Sequence, residues 1–475
     1  MSTNQIFEIY CAGKFITTSA KHNVTNPYDR SEVATTFLAG DAELNQAIEA
    51  AGKVSEELQN NPSYARYAIL KQISEELLAL RQQFAELITL ESGKPIRYSL
   101  AEVDRSIQTF VVAAEESKRL PAEYFSIDWT PAGTGNEGFV KYFPIGIVAG
   151  IAPFNFPLNL AVHKIAPAIA AGCPIILKPS SLTPLSTLML SQIIDHTTLP
   201  KGAVSILPMN RETGNKLVTD EHISLLSFTG SPEVGWKMKS HAGNKKIVLE
   251  LGGNAGVIVS HGADLESAVT KCVAGGFSYS GQVCIHTQRI YILRDLFESF
   301  AEKFVEKVKL LKQGNPIDPA TDIAGMIDKA NAIRVENWVT EAVKGGAIIL
   351  SGGKRENSFM QPTVLTNTKE NMQVCAAEVF GPVVVIEPVS TFAEAVQHIN
   401  SGRFGLQAGV FTDRISEMNL AFNQLKVGGV IINDVPTFRV DHMPYGGIKD
   451  SGSGREGVKY AILDMMEPKL LVKNF

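Results

Sequence analysis

The 475-residue sequence lacks an excess of basic residues: 44 lysines and arginines stand against 49 aspartates and glutamates, a net charge of −5. That balance excludes a nucleic-acid binder with a large basic footprint. Cysteine is scarce, with five residues at positions 11, 173, 272, 284 and 375 and no C-x-x-C pair. An odd number without paired spacing argues against a disulfide framework or a structural zinc site, and fits a reducing, cytoplasmic compartment. No metal is expected. The first residues, MSTNQIFEIY, lack a basic segment followed by an apolar one, so no signal peptide is expected. Neither a repeat nor a low-complexity tract is present. One charge-free stretch, Tyr142 to Val162, is long enough to span a bilayer. It holds Pro144, Pro153 and Pro157 together with Asn155 and Asn159, and its backbone could not satisfy itself in lipid. No membrane partner is expected.

What is present is an ordinary globular composition, 45% hydrophobic and 20% charged, with enough chain for about three domain-sized units. Residues 1–40 read as short strands and turns. Asp41 to about Leu90 has helical periodicity, with Ile69, Ile73, Leu77, Phe84 and Ile88 near one face, and a second helical pattern covers about Arg97 to Arg119. Pro121 to Gly138 is poor in aliphatic residues and reads as a loop or hairpin leaving the main body. From 144 to 250, apolar runs at Ile145–Ile151, Pro174–Leu177, Val204–Leu207, Leu225–Phe228 and Ile247–Leu249 alternate with helical segments. Such alternation predicts βαβ units and a parallel sheet, which binds ligands at the carboxyl ends of its strands. Alternation resumes after a soft boundary at Leu251-Gly252-Gly253, and ends in a Gly-rich stretch, Tyr445 to Ser453, a helix and a last strand at Lys469–Lys473.

Several residues could carry chemistry. Cys284, in Gly281-Gln282-Val283-Cys284, is either an exposed nucleophile or a small buried hydrophobe. Glu250 ends an apolar strand, where burial would raise its pKa toward that of a general base; a paired structural carboxylate is the alternative. Asn155, between Pro153-Phe154 and Phe156-Pro157, could donate to an oxyanion or simply make a turn. Lys178 sits at a strand's carboxyl end, in reach of a sugar or phosphate. Phe228-Thr229-Gly230-Ser231-Pro232-Glu233-Val234-Gly235 joins a strand to a helix N-terminus, a place that favours phosphate. It is neither a P-loop nor G-x-G-x-x-G.

Taken together and in order, these segments resemble the aldehyde dehydrogenase superfamily over essentially the whole chain. The matches are Pro144-Ile145-Gly146 with Pro153-Phe154-Asn155-Phe156-Pro157, then Lys178-Pro179-Ser180, Phe228-Thr229-Gly230-Ser231, and Leu249-Glu250-Leu251-Gly252-Gly253. Gly281-Gln282-Val283-Cys284, Glu378-Val379-Phe380-Gly381-Pro382 and Pro444-Tyr445-Gly446-Gly447 complete the series. Glu250 precedes Cys284 by 34 residues, the family's separation.

The resemblance implies an α/β fold with a Rossmann-like cofactor domain (1–120 and 144–250) and an α/β catalytic domain (251–444). A protruding β-hairpin oligomerisation element with a tail (121–143 and 445–475) would build a homodimer or homotetramer. It implies Cys284 as nucleophile, Asn155 as oxyanion donor and Glu250 as the base that hydrolyses the thioester. NAD or NADP would contact Ala152, Pro153, Phe154, Lys178, Ser180, Ser181, Gly230, Ser231, Gly235, Leu251, Glu378 and Phe380. NAD-preferring members often carry a glutamate where this chain has Ser181, so a 2′-phosphate is not repelled. Glu250 favours release of a free acid over a CoA-acylating reaction; that reaction and a non-catalytic binding member are the alternatives.

The substrate is expected to be a short polar or anionic aldehyde. Arg105, His163, Arg439 and His442 are the candidate pocket residues, as in the branch that resembles lactaldehyde, glyceraldehyde and phosphonoacetaldehyde dehydrogenases. Arginine would hold a carboxylate, phosphonate or sulfonate. The alternative is that these groups pair with internal carboxylates.

Overall fold

The computed structural model describes residues 5–474. Four helices occupy the N-terminal helical stretch: α1 (Asp41–Asn60), α2 (Ser63–Ala79), α3 (Arg81–Ser92) and α4 (Ile96–Ser117). The expected continuous pattern from 41 to 90 is broken where Pro62 cannot continue a helix. α3 ends at Gly93, which is left-handed (φ 69°), and Pro95 stands before α4.

The segment that follows alternates as expected. Strands β1 (Ile147–Ile151), β2 (Ile175–Lys178), β3 (Val204–Ile206), β4 (Ile223–Thr229) and β5 (Lys246–Glu250) alternate with helices α5 (Asn159–Ala171), α6 (Leu185–Asp195), α7 (Arg211–Thr219) and α8 (Pro232–His241). All thirteen residues of α5 are buried. A helix that apolar belongs inside a core. The five strands are parallel in the order β3-β2-β1-β4-β5. The chain therefore runs outward from β1 in one direction and, after β3, returns to β1's other side. The crevice between the carboxyl ends of β1 and β4 is the topological switch point of this sheet.

Ile9–Cys11 pairs antiparallel with β3, and Lys14–Ile16 pairs with Ile9–Cys11 at the edge of the sheet. One core layer packs α2, α4, α5 and α6 on one face, and α1 lies in a second layer on the other.

A second, seven-stranded sheet begins at Ala255, just past the expected boundary. Its centre is β6 (Ala255–Val259), β7 (Thr287–Leu293), β8 (Val383–Val389) and β9 (Gln407–Phe411), all parallel, and α9 (Leu265–Phe277) links β6 to β7. The strand Gly429–Ile432 pairs parallel with β9 at one edge of this sheet.

The expected hairpin is Ala122–Ser126 against Asn136–Pro144, and the strand Met466–Asn474 adds to it in register, Leu470 opposite Val140. The tail needs redrawing, because most of 445–475 lies outside this element. Gly452–Ser453 pairs with β5, and the helix Val458–Asp464 packs on α4 and α5. Buried Val458 and Ile462 carry that segment into the first core. Among the described residues, no helix is long and apolar enough to cross a membrane; Tyr142–Val162 forms part of a strand, β1, a loop and the start of α5.

Candidate active site

The loop Ala152–Leu158 carries Asn155 from β1 to α5. Its geometry is set from below. Glu102 on α4 accepts the backbone N–H groups of Leu158 and Asn159 at 3.0 and 3.1 Å, satisfying donors that a helix start leaves open. Its other oxygen pairs with Lys94, both side chains fully buried. The Lys94 ammonium lies 3.9 Å from the Phe156 ring centroid, so it clamps the loop from the side as well. Asn155 donates its amide to the carbonyl of Gln282 at 3.0 Å, two residues before Cys284. An amide nitrogen has a second N–H to offer.

Cys284 follows a tight turn in which Tyr279 and Ser280 both adopt positive φ, 48° and 53°. Such conformations cost free energy and persist where packing enforces them. The packing here is a small cluster of Tyr279, Val283, Ile285, Leu406 and Tyr445 around the cysteine. A Cβ on Gly253 would come within 2.3 Å of the Cys284 carbonyl, so glycine is what lets the segment after Glu250 approach the nucleophile. The Cys284 sulfur lies 3.2 Å from the Tyr445 hydroxyl. Burial pushes the Cys284 thiol up to about 11, with the Tyr445 hydrogen bond opposing it, so the resting group is a thiol.

Glu250 ends β5 at 4% exposure, and neither carboxylate oxygen has a hydrogen-bond partner. Burial, followed by the charge of Glu456, raises its carboxyl well above the usual range. The end of this apolar strand thus holds a buried carboxyl whose charged form is disfavoured.

Behind these three groups lies a charged cluster. Lys164, fully buried on α5, donates to Thr229 at 2.7 Å and pairs with Glu456 at 3.4 Å. Arg439 pairs with Glu456 at 2.8 Å and lies 3.7 Å from the Tyr445 ring centroid. His163 and Arg105 share Asp441, at 2.8 and 2.7 Å. Burial works to raise Glu456, but Lys164 and Arg439 outweigh it and hold its carboxyl down to about 2. Asp441 is likewise below the carboxylate range, because the hydrogen bond and charge of His163 and the charge of Arg105 exceed the effect of burial. Burial, then the Arg439 charge, lowers His163, which favours its neutral form.

The pocket residues expected from sequence therefore divide. Arg105, His163 and Arg439 come together, each engaged by an internal carboxylate, whereas His442 is exposed and has no hydrogen bond or ion pair among the described residues. Arg439 Nε and His163 Nδ1 remain buried without partners. Lys164, Asp441 and Glu456 were not singled out by the sequence reading. A signal existed for the first: a lysine inside the largely apolar run of α5 needs a buried partner.

The cofactor candidates lie at the carboxyl ends of the strands of the first sheet and on the facing segment 378–380. Lys178 ends β2; burial lowers its ammonium, with no neighbouring charge contributing. Ser180 accepts the N–H of Leu182, and the Ser181 carbonyl bonds to His22. Ser231 stands at the N-cap position of α8 without turning its hydroxyl to that helix. Gly235 lies so close to Leu251 that a Cβ would meet its side chain at 2.4 Å. Glu378 accepts the N–H of Gly253 at 3.0 Å, and burial raises its carboxyl to about 8. Phe380, at φ 46°, sets its ring edge-on to Phe154 at 5.9 Å. An unpaired, half-buried ammonium, an unused hydroxyl at a helix N-terminus and the Glu378 carboxyl against Gly253 fit a dinucleotide.

The aldehyde dehydrogenase family profile matches residues 15–471, and the chain belongs to that family. It is an enzyme, an oxidoreductase that uses NAD or NADP. It is 41% identical over 470 residues to the 3-sulfolactaldehyde dehydrogenase of Priestia megaterium, covering 98% of each chain. Its fold superimposes on aldehyde dehydrogenase 21 of Physcomitrella patens, solved with the reaction product succinate, with a TM-score of 0.98 and 44% identity over 100% of this chain and 99% of that one. It also superimposes on the glyceraldehyde-3-phosphate dehydrogenase GapN of Methanocaldococcus jannaschii, solved with NADP, with a TM-score of 0.92 and 38% identity over 96% and 99%.

Proposed function

We propose that this chain oxidises a short anionic aldehyde to its carboxylic acid, with Cys284 as nucleophile, Asn155 as oxyanion donor and Glu250 as the hydrolytic base. The observation that carries the reading is the charge count of the cluster beside the nucleophile. Three cationic side chains, Arg105, Lys164 and Arg439, face two carboxylates, Asp441 and Glu456, and burial disfavours the charged forms of Glu250 and His163 beside them. The excess positive charge favours an aldehyde that brings a carboxylate, phosphonate or sulfonate. Arg105 is the partly accessible cation, 29% exposed at its side chain, and the unpartnered Arg439 Nε–H is a second donor. His163, fixed by Asp441, orients the pocket wall. The relatives named for 3-sulfolactaldehyde and glyceraldehyde-3-phosphate, and the one solved with succinate, support this class.

The Cys284 sulfur attacks the aldehyde carbon, and the second Asn155 N–H receives the developing oxyanion with the backbone N–H of Cys284. Lys178, Ser180, Ser231, Glu378 and Phe380, with Ala152–Phe154, Ser181, Gly230, Gly235 and Leu251, would hold the dinucleotide, which would supply the hydride acceptor. The resulting thioester is hydrolysed by water that Glu250 deprotonates. Asn155 and Cys284 are joined through the Gln282 carbonyl, so the loop and the nucleophile are placed as one unit.

We further place the protein in a reducing cytoplasm, in keeping with five free thiols, and as a homodimer or homotetramer built through the hairpin. The deciding experiment compares kcat/KM for succinate semialdehyde, lactaldehyde, phosphonoacetaldehyde and a long apolar aldehyde with each cofactor. Preference for the anionic aldehydes is expected; preference for the apolar one overturns the reading.

A further inference from the structure

The mechanism above leaves one group beside the nucleophile without a task. Tyr445 is 3% exposed, and its hydroxyl is 3.2 Å from the Cys284 sulfur. Packing alone would be served by phenylalanine, since the ring already fills the apolar cluster of Tyr279, Val283, Ile285 and Leu406. The hydroxyl is therefore an added polar atom, and a buried O–H needs a partner.

The far face of the ring is also specified. The Arg439 guanidinium stacks on it at 3.7 Å from the centroid, and Glu456 fixes that guanidinium at 2.8 Å. A cation over the ring draws π density away from the oxygen and makes the O–H a stronger donor.

We propose that Tyr445 is a catalytic residue of this site: its O–H donates to the Cys284 sulfur, seats the side chain for attack, and holds the electron pair left there when the thiol is deprotonated. The inference rests on the reading of Cys284 as the nucleophile. In the step itself the S–H bond breaks, its proton passes to water, and the electron pair stays on sulfur. Tyr445 keeps its own proton, because burial and then the Cys284 charge raise its hydroxyl well above the ordinary range. The other groups that face the sulfur are Glu378, Arg439 and Glu250. The two carboxyls disfavour a thiolate when ionised, and Arg439 favours it. Tyr445 is the one among these four that forms a hydrogen bond to the sulfur.

The test is the pH profile of iodoacetamide labelling on the full chain without cofactor, with the labelled cysteine identified by peptide mass spectrometry. Tyr445→Phe keeps the ring and is expected to slow Cys284 labelling near neutral pH about tenfold, the effect of one pKa unit. kcat/KM falls with it, while the KM for cofactor stays. A second variant replaces Tyr445 with 3-fluorotyrosine, whose hydroxyl is more acidic, and is expected to move the profile the opposite way. That second arm decides the matter if Tyr445→Phe fails to fold. If both profiles overlay the parent while the label remains on Cys284, the proposal for Tyr445 falls alone. If the label sits on another cysteine, or Cys284→Ala keeps a burst of reduced cofactor, the nucleophile reading falls and takes this one with it.

Discussion

Glu102 and Asn159 lie on different helices, yet the carboxylate of the first accepts the backbone N–H of the second at 3.1 Å. That bond, its twin to Leu158 and the Lys94 pair fasten the loop bearing Asn155 to α4. Removing one member of a buried pair strands the other, at a cost of about 3–5 kcal/mol. Glu102→Gln is expected to lower stability by an amount of that order and to slow the burst of reduced cofactor. Urea denaturation and stopped-flow absorbance measure the two effects; unchanged values for both would show that the loop is held elsewhere.

Glu250 is predicted to act after hydride transfer. Glu250→Gln should keep a stoichiometric burst of reduced cofactor and lose steady-state acid production by a hundredfold or more, on the order of a general-base contribution. Because burial raises the Glu250 carboxyl, turnover of the parent should climb with pH as the carboxylate forms. A flat profile for the hydrolytic step would count against that order of events.

Glu378 supplies a stability test with a definite sign. Burial raises its carboxyl to about 8, above the ordinary carboxylate value near 4.3 in an unfolded chain. Between those values the folded state binds a proton that the unfolded state does not, so this group makes stability fall as pH rises, levelling off above about 8. The slope is at most about 1.4 kcal/mol per pH unit. Glu378→Gln, whose carbonyl still accepts the Gly253 N–H, should flatten that part of the curve. Urea midpoints across this range are the measurement.

Ser181 should govern cofactor choice. Ser181→Glu places a negative charge where a 2′-phosphate would lie, and is expected to raise the KM for NADP at least tenfold while sparing NAD. Equal loss with both cofactors would mean that the position does not meet the adenosine ribose.

The hairpin predicts its own test. Leu470, Leu471 and Val472 on the last strand are 54%, 55% and 48% exposed, in a short sheet that projects an unpaired edge. Exposed apolar residues on an edge strand mark an association surface. Leu470→Glu with Val472→Glu should shift the assembly toward monomer in light scattering. An unaltered mass would move the contact to another face.

The first sheet was readable because its signals are local. Each strand is a short apolar run and each helix a periodic one, and Gly230 and Lys178 fall where a strand ends. The catalytic candidates were readable as sequence motifs, but their environment was not. Nothing near Arg439 in sequence announces Glu456 as its partner, and nothing near His163 announces Asp441, because these contacts close over 17 and 278 residues. The sequence places Tyr445 in a motif without showing that its hydroxyl meets Cys284 across 161 residues. The course of the tail before its last strand was not legible for the same reason. Its pairing with β5 and its packing on α5 are tertiary choices, invisible to periodicity.

The ion pairs between α5 and the segment 439–456 also make these two stretches a single unit of inheritance. His163 and Lys164 stand on one side, Asp441 and Glu456 on the other, all buried. A chimera that imports only one of them from a relative leaves a carboxylate or a cation without its counter-charge in the interior. Retargeting this enzyme to another aldehyde would therefore require exchanging both stretches together, even though nearly three hundred residues of chain separate them.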